Sequence, residues 1–261
     1  MPKISVILGA YNAADTLAAA LDSLLEQSLP DFEILLCDDG STDGTAAVAA
    51  GYAGRVRLLK NEQNLGLGAA LNRCLAAAEG EYIARMDADD LSHPRRLERQ
   101  AEYLDRHPEC ALVGCAMVHF DGDGDYRVSC PPEFPQLRDY LLGTPFCHGT
   151  VMVRRSVYRA LGGYREGRVT LRVEDVDLWI RLYEAGFRGR NLREPLYRMR
   201  DDRRAAKRRK FRWRVNSARV RLRGMGRLKA PFRWWPMALR PVLVGLLPGP
   251  VYRRLHRRNC P

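Results

Sequence analysis

Several absences narrow the reading of this sequence at once. None of the seven cysteines, at 37, 74, 110, 115, 130, 147 and 260, belongs to a CxxC pair or to a zinc-like spacing, so neither a structural zinc site nor a disulfide framework is indicated. The set is odd in number and reads as reduced, mostly buried thiols. Clean apolar runs of about 18 to 20 residues, the length that crosses a bilayer, are missing too. The most apolar stretch, Trp234 to Tyr252, is broken by Arg240 and by Pro236, Pro241, Pro248 and Pro250, and should not span a membrane as one regular helix. The first residues, Met1-Pro2-Lys3, run straight into Ile4-Ser5-Val6-Ile7-Leu8 without the charged, apolar and cleavage-site order of an export signal. That sets a cytoplasmic location as the expectation.

Acidic residues are scarce at one end only. Residues 1–197 carry 22 basic and 29 acidic side chains, net −7, whereas residues 198–261 carry 21 and 2, net +19. An acidic body thus bears a basic tail, and the total of +12 describes neither. A charge split of this kind points to a polyanionic surface, anionic lipid or nucleic acid, met by the tail alone. With 261 residues, 46% of them hydrophobic, the chain can bury a full-sized core, which excludes a wholly disordered or collagen-like protein.

Strand-like and helical patterns alternate through the first half. Ile4–Leu8 is followed by Leu17, Leu21, Leu24 and Leu25 at helical spacing. Glu33–Cys37, Thr45–Ala50, Val56–Leu59, Leu67–Ala78 and Tyr82–Met86 repeat the alternation. This predicts an α/β fold, Rossmann-like and doubly wound, with a mostly parallel sheet. Ligands of such sheets bind beyond the carboxyl ends of the strands. Polar residues stand there each time: Gly9-Ala10-Tyr11-Asn12, Asp38 to Asp43, Asn61 to Asn64-Leu65-Gly66, and Asp87-Ala88-Asp89-Asp90. Any one of these is ordinary loop and cap chemistry. Four together, with two carboxylate clusters on one crevice, favour a cation or a hydrogen-bonded polar ligand.

Beyond Met86 the spacing predicts a helix over Pro94–Arg106, strands over Ala111–Val118 and Phe146–Val153, and a helix over Glu174–Ala185 with Trp179 in the core. Asp121-Gly122-Asp123-Gly124-Asp125 lacks the terminal Glu of a calcium loop and reads as a hairpin turn.

In their order and spacing these residues resemble glycosyltransferase family 2 over roughly residues 3–200. The landmarks are Ser5 to Asn12, Asp38 to Asp43, Asn64-Leu65-Gly66, Gly80 to Asp90, Gly162-Gly163-Tyr164 and Glu174-Asp175-Val176-Asp177-Leu178-Trp179. The resemblance implies a GT-A fold and an inverting, nucleotide-diphosphate-sugar-dependent transfer. It assigns Asp89 to a Mg2+ or Mn2+ ion bridging the phosphates, with Asp87 near both metal and ribose. It sets Asp39 on the nucleotide base with Ala10, Tyr11 and Asn12 along it, and places Asn64 and Gly66 in the same donor site. Asp175 becomes the general base, with Glu174 as the alternative. His148 falls on the acceptor side, where a sugar-positioning role and a packing role are equally open. All-oxygen ligation suits the hard cations, and the diphosphate supplies further ligands. Uridine is the expected base. The family's Ala-Arg-Asn reads Ala70-Leu71-Asn72 here, which removes an arginine that could touch the nucleotide, and Arg73 should point elsewhere. Gly9 stands for a proline common in the family's first motif.

The implied organisation is a catalytic domain over 1–200, divided into a donor half, 1–110, and an acceptor half, 111–200. A basic, mainly helical tail over 201–261 follows. Basic residues beside Phe232, Trp234 and Trp235 favour an anionic bilayer surface. No recognition fold accompanies the charge, which argues against nucleic acid. A peripheral enzyme acting on a glycan or lipid-linked acceptor in surface polysaccharide synthesis is the expected function. The rivals are a sugar-nucleotide nucleotidyltransferase, whose glycine-rich, lysine-bearing loop is absent, and a non-catalytic binding member, against which the intact Asp87, Asp89 and Asp175 argue.

Overall fold

The structure, a computed structural model, describes residues 1–201 and 211–246. Nine strands form one sheet in the order β3-β2-β1-β4-β8-β6-β9-β5, with β7 paired to β6. The strands are β1 Ile4–Ala10, β2 Phe32–Asp39, β3 Arg57–Asn61, β4 Tyr82–Arg85, β5 Leu91–Ser92, β6 Leu112–Asp121, β7 Gly124–Ser129, β8 Met152–Arg154 and β9 Gly189–Arg200. β1, β2, β3 and β4 are mutually parallel, as is β6 with β9, while β8, β7 and β5 run antiparallel to their neighbours. The fold is α/β.

Both faces of the parallel half are covered, which is why its strands read as continuous apolar runs. Side chains alternate across β1: Ile4, Val6, Leu8 and Ala10 pack into one core with α1 (Ala14–Leu25), α2 (Thr45–Ala50) and α4 (Arg96–Arg106). Ile7 joins the opposite core with α3 (Leu67–Ala77), α6 (Arg155–Leu161) and α7 (Glu174–Glu184). Trp179 is buried in that second core, as its place on the apolar face of α7 requires.

Parallel registry brings the strand ends level. Ala10 pairs with Asp38, Asp39 with Asn61, and Ile7 with Arg85, so the polar segments after β1, β2, β3 and β4 lie along one sheet edge. Phe146–Val153 does not form the continuous strand expected. The Thr150 backbone N–H and hydroxyl both donate to the Cys147 carbonyl, at 3.1 and 3.0 Å, which closes a 3-10 turn over His148–Thr150 before the short β8. Asp121–Asp125 is the hairpin turn between β6 and β7. Of the six described cysteines, all free, Cys37, Cys74 and Cys115 are buried and Cys130 is exposed; Cys260 lies outside the described residues.

The described part of the tail is α8 (Phe211–Arg227), a 3-10 segment Phe232–Leu239 and α9 (Arg240–Gly245). It packs on the body through a third apolar cluster: Leu141 of α5 (Leu137–Leu142), Val173, Ile180, Val220, Met225, Ala230 and Ala238. Residues 202–210 and 247–261, with their basic side chains, lie outside the described residues. No helix among the described residues is long and apolar enough to cross a membrane.

Candidate active site

The loops that follow β1, β2 and β3 interlock at the sheet edge. Asn12 adopts a left-handed φ of 51°. Its N–H donates to Ser41 Oγ at 3.0 Å, and its Oδ1 accepts the Thr42 N–H at 2.9 Å. Asp38 accepts the Ser41 N–H at 3.0 Å and shapes the same turn. Asp39 is buried: Oδ1 accepts Asn61 Nδ2 at 2.8 Å and the Leu65 N–H at 3.0 Å, and Oδ2 accepts the Gly66 N–H at 2.8 Å. Its carboxylate therefore ties β2 to the Asn64–Gly66 segment. Gly66 takes φ +97°, a conformation that favours glycine. Arg73 turns toward this cluster, donating to Asn61 Oδ1 at 3.0 Å, where a purely helical projection had sent it elsewhere. Ala10 is buried, Asn64 is exposed, and Tyr11 presents a ring 45% exposed beside them.

The segment after β4 carries the second carboxylate group. Asp87 forms a bidentate ion pair with Arg85, whose side chain is only 2% exposed. Burial opposes the arginine charge, but the Asp87 carboxylate more than offsets it and raises the guanidinium pKa. The Asp87 N–H donates to Tyr197 Oη at 3.1 Å, and that hydroxyl donates to Asp90 Oδ2 at 2.7 Å. Asp90 also accepts the Arg200 N–H at 2.7 Å. Burial, with Asp87 and Asp89 nearby, pushes its pKa well up. Asp90 thus fastens the loop to β9. Asp89 is half-buried, and Arg200 Nε donates to its carbonyl at 3.1 Å. Thr16 Oγ1 donates to the Ala88 carbonyl at 3.0 Å, which joins α1 to the loop.

Glu174 and Asp175 open α7, where the unpaired N–H groups of the first turn favour carboxylates. Glu174 is 6% exposed, and burial reinforced by Asp175 pushes its pKa up to about 7. Burial also raises Asp175, against the lowering pull of the Val176 N–H, Arg85 and Arg221. Glu174 lies against α3, where a Cβ on Gly68 would be 3.8 Å from Glu174 Cβ. His148 Nε2 meets Tyr164 Oη at 2.7 Å, and Tyr164 meets Tyr158 at 3.0 Å. Burial and Arg85 drive the His148 pKa well down, so the ring is neutral. Neighbouring arginines have structural partners. Arg154 caps the carbonyls of Leu104, His107 and Cys110, Arg155 holds that of Ala78, and Arg198 pairs with Asp125.

Sequence reasoning missed Arg85, Tyr197 and Tyr164 as parts of the site. A charged residue inside the apolar run Tyr82–Met86 was the available signal for Arg85. Tyr197 had none, because the strand that delivers it was not expected. No group of three or more metal-ligating side chains occurs among the described residues. The oxygen donors of Asp89 and Asp87 suit a hard cation only together with ligands that the diphosphate brings.

Carboxylates line the carboxyl ends of the parallel strands, and a second acidic pair opens α7, on an α/β scaffold. The glycosyl transferase family 2 profile matches residues 5–162, and the chain belongs to that family. It is 45% identical to the putative glycosyltransferase EpsE of Bacillus subtilis over 99% of this chain and 94% of that one. It is 34% identical to the amylovoran biosynthesis glycosyltransferase AmsE of Erwinia amylovora over 75% of each. Among solved structures, S. aureus TarS in complex with UDP-GlcNAc is 20% identical with TM-score 0.66, covering 95% of this chain and 82% of that one. The mannosyltransferase PcManGT of Pyrobaculum calidifontis, in complex with GDP-Man and Mn2+, is 20% identical with TM-score 0.64, covering 98% and 79%. These two likenesses establish the GT-A fold.

Proposed function

We propose that this glycosyltransferase moves a sugar from a nucleotide diphosphate, UDP being the leading donor, to a hydroxyl of a glycan or lipid-linked acceptor in surface polysaccharide synthesis. The observation that supports the reading is the polar edge of the sheet: Asp87 paired with the buried Arg85, Asp39 holding Asn61 and the Leu65–Gly66 backbone, and Glu174 lying against Gly68 of α3. Residues 1–110 hold the donor in this reading and 111–200 the acceptor. The names of relatives such as AmsE support the polysaccharide context, and the UDP-GlcNAc complex of TarS supports the donor class.

Breaking the bond from the anomeric carbon to phosphate leaves charge on the departing diphosphate. A divalent cation, held by Asp89 with Asp87 beside it, would supply Lewis-acid stabilisation of that charge. Asp87, already clamped by Arg85, is held in one orientation. Tyr11 lies open for the base to pack against. Asp39 holds the Asn64–Gly66 segment with both oxygens, and one of its remaining lone pairs faces the base. Asp175 takes the proton of the attacking hydroxyl as the new bond forms from the face opposite the leaving group, which inverts the anomeric centre. Glu174 is the second candidate for the base, its pKa pushed up to about 7 by burial and Asp175. Neutral His148, fixed by Tyr164, offers a ring nitrogen to an acceptor hydroxyl.

At the tail, Phe232 is 83% and Leu243 61% exposed, with Leu239 and Leu246 also exposed beside Arg233 and Arg240. An apolar and basic surface of this composition supports peripheral binding to an anionic membrane at its cytoplasmic face. The test is release of free nucleotide from a panel of nucleotide sugars with Mn2+ or Mg2+, comparing wild type, Asp89→Ala and Asp175→Asn. Metal-dependent release abolished by both substitutions is expected; binding without turnover would install the non-catalytic reading. Flotation with anionic vesicles, lost in Phe232→Ser/Leu243→Ser, tests the membrane surface.

A further inference from the structure

The tail helix α8 is hydrogen-bonded to the body at two places, the segment that precedes α7 and the end of α5. Asn216 is buried, and its Nδ2 donates to the carbonyls of Arg168 at 2.8 Å and Leu171 at 3.2 Å. Those carbonyls belong to the segment that leads into Val173, the residue before α7, and thus into Glu174 and Asp175. The same segment abuts the donor side, since a Cβ on Gly66 would sit 2.9 Å from Leu171 Cδ1. It also contains Arg172 at φ 65°, a left-handed conformation that a non-glycine residue keeps only where its surroundings enforce it.

Five residues on, Arg221 donates from Nη1 to the Leu141 carbonyl at 2.5 Å and from Nη2 to that of Gly143 at 3.0 Å. These are carbonyls at the C-terminal end of α5, where a cation is favoured. Arg221 pays for this place with desolvation, which lowers its pKa, and the charge of Asp175 offsets part of that cost. Three residues further on, Gly224 lets α8 approach α7 closely: a Cβ there would meet Ile180 Cγ2 at 2.7 Å.

We infer that Asn216 and Arg221 are positioning residues for the general base: Asn216 fixes the segment entering α7, and Arg221 fastens α8, which carries Asn216, to the end of α5. The inference rests on the proposed assignment of Asp175. The tail helix is then part of the catalytic apparatus as well as a candidate membrane contact. The charged groups around Asp175 are Glu174 on its own helix, Arg85 from β4 and Arg221 from α8. Removing Arg221 leaves the Val176 N–H and Arg85 to hold the base ionised.

The experiment measures kcat, donor KM and the pH profile of nucleotide release in the full chain for Asn216→Asp, Arg221→Met and Arg221→Lys. Asn216→Asp is nearly isosteric and replaces the amide donor with a carboxylate that cannot donate to the two carbonyls. It should lower kcat by about tenfold while donor KM moves less than about threefold. Arg221→Met should shift the acidic limb of the pH profile to higher pH, and Arg221→Lys should restore it. A merely structural role would lower the melting temperature and leave kcat of the folded enzyme and the acidic limb in place, and that result overturns the inference. Should Arg221→Met fail to fold, Asn216→Asp decides through kcat against donor KM. A wild type that turns over no donor, or an Asp175→Asn variant at full rate, removes the base assignment itself and this inference with it.

Discussion

The two halves of the sheet place their carboxylates in opposite ways. In β3-β2-β1-β4 each strand delivers the polar residues that follow it, and those residues are met at once by donors: backbone N–H groups and Asn61 for Asp39, Arg85 for Asp87. On the other side the acidic pair is delivered by a helix N-terminus, and burial pushes both of its carboxyls up. The seam between the halves is made by residues far apart in the chain, with Tyr197 and Arg200 holding Asp90 across 107 and 110 positions. A leaving diphosphate needs fixed donors and neutralised charge. A proton acceptor gains from the raised pKa that desolvation gives.

The strongest way to break this contrast is Asp175→Asn. Loss of the base should reduce the transfer rate by about a thousandfold with donor affinity nearly intact, measured as nucleotide release at saturating donor. If Glu174→Gln produces that loss and Asp175→Asn does not, the base is Glu174 and the contrast survives with its roles exchanged.

The next effect is on stability. Glu174 has its pKa raised to about 7 from an ordinary 4.5, so the folded protein retains a proton that the unfolded chain releases. Below about pH 4.5 both states are protonated and burial carries no pH-dependent penalty. As pH rises through the window to about 7, the native state loses about 2–3 kcal/mol relative to the unfolded one. Glu174→Gln should therefore match wild type in urea unfolding near pH 4.5 and exceed it by about that amount at pH 8. An unchanged difference across the two pH values would show that Glu174 ionises as freely as a surface carboxylate.

The parallel half of the sheet was legible because its geometry is local. Thr45–Ala50 and the strand at Ile4 follow from spacing alone, and the polar residues mark the sheet edge. The mixed half was less so. β9 carries Arg190, Arg193, Arg198 and Arg200 among its apolar residues and shows no simple alternation, since its pairing with β6 is interrupted by register shifts. Tyr197 therefore could not be placed. The tail's charge suggested a solvated or membrane-bound element, whereas its spaced small and apolar residues, Ala218, Val220, Gly224 and Met225, form a packed face. Gly9 shows the same limit within a motif that was recognised: the sequence marks it as standing for a proline and does not show that a Cβ there would lie 2.9 Å from Leu67 Cδ1 and 3.3 Å from Ala70 Cβ. Gly9→Ala should cost about 1–2 kcal/mol as α3 is pushed off the sheet, read from a denaturant midpoint. A midpoint equal to wild type would mean that Leu67 yields freely.

The smallest expected effect concerns how the tail is held. Arg227 and Glu184 form an ion pair at 3.3 Å with both side chains about a third exposed, a geometry in which solvent screening leaves less than about 1 kcal/mol. Glu184→Gln should shift the melting temperature slightly, and added salt should erase the shift. Gly224→Val addresses the same junction through packing, since its side chain must enter the space filled by Ile180 and Leu141. If α8 is held by its apolar face, the valine separates it from α7 and the glutamine does not. A glutamine variant that loses as much as the valine would make the contact electrostatic, and would then tie the tail's grip on the base to ionic strength.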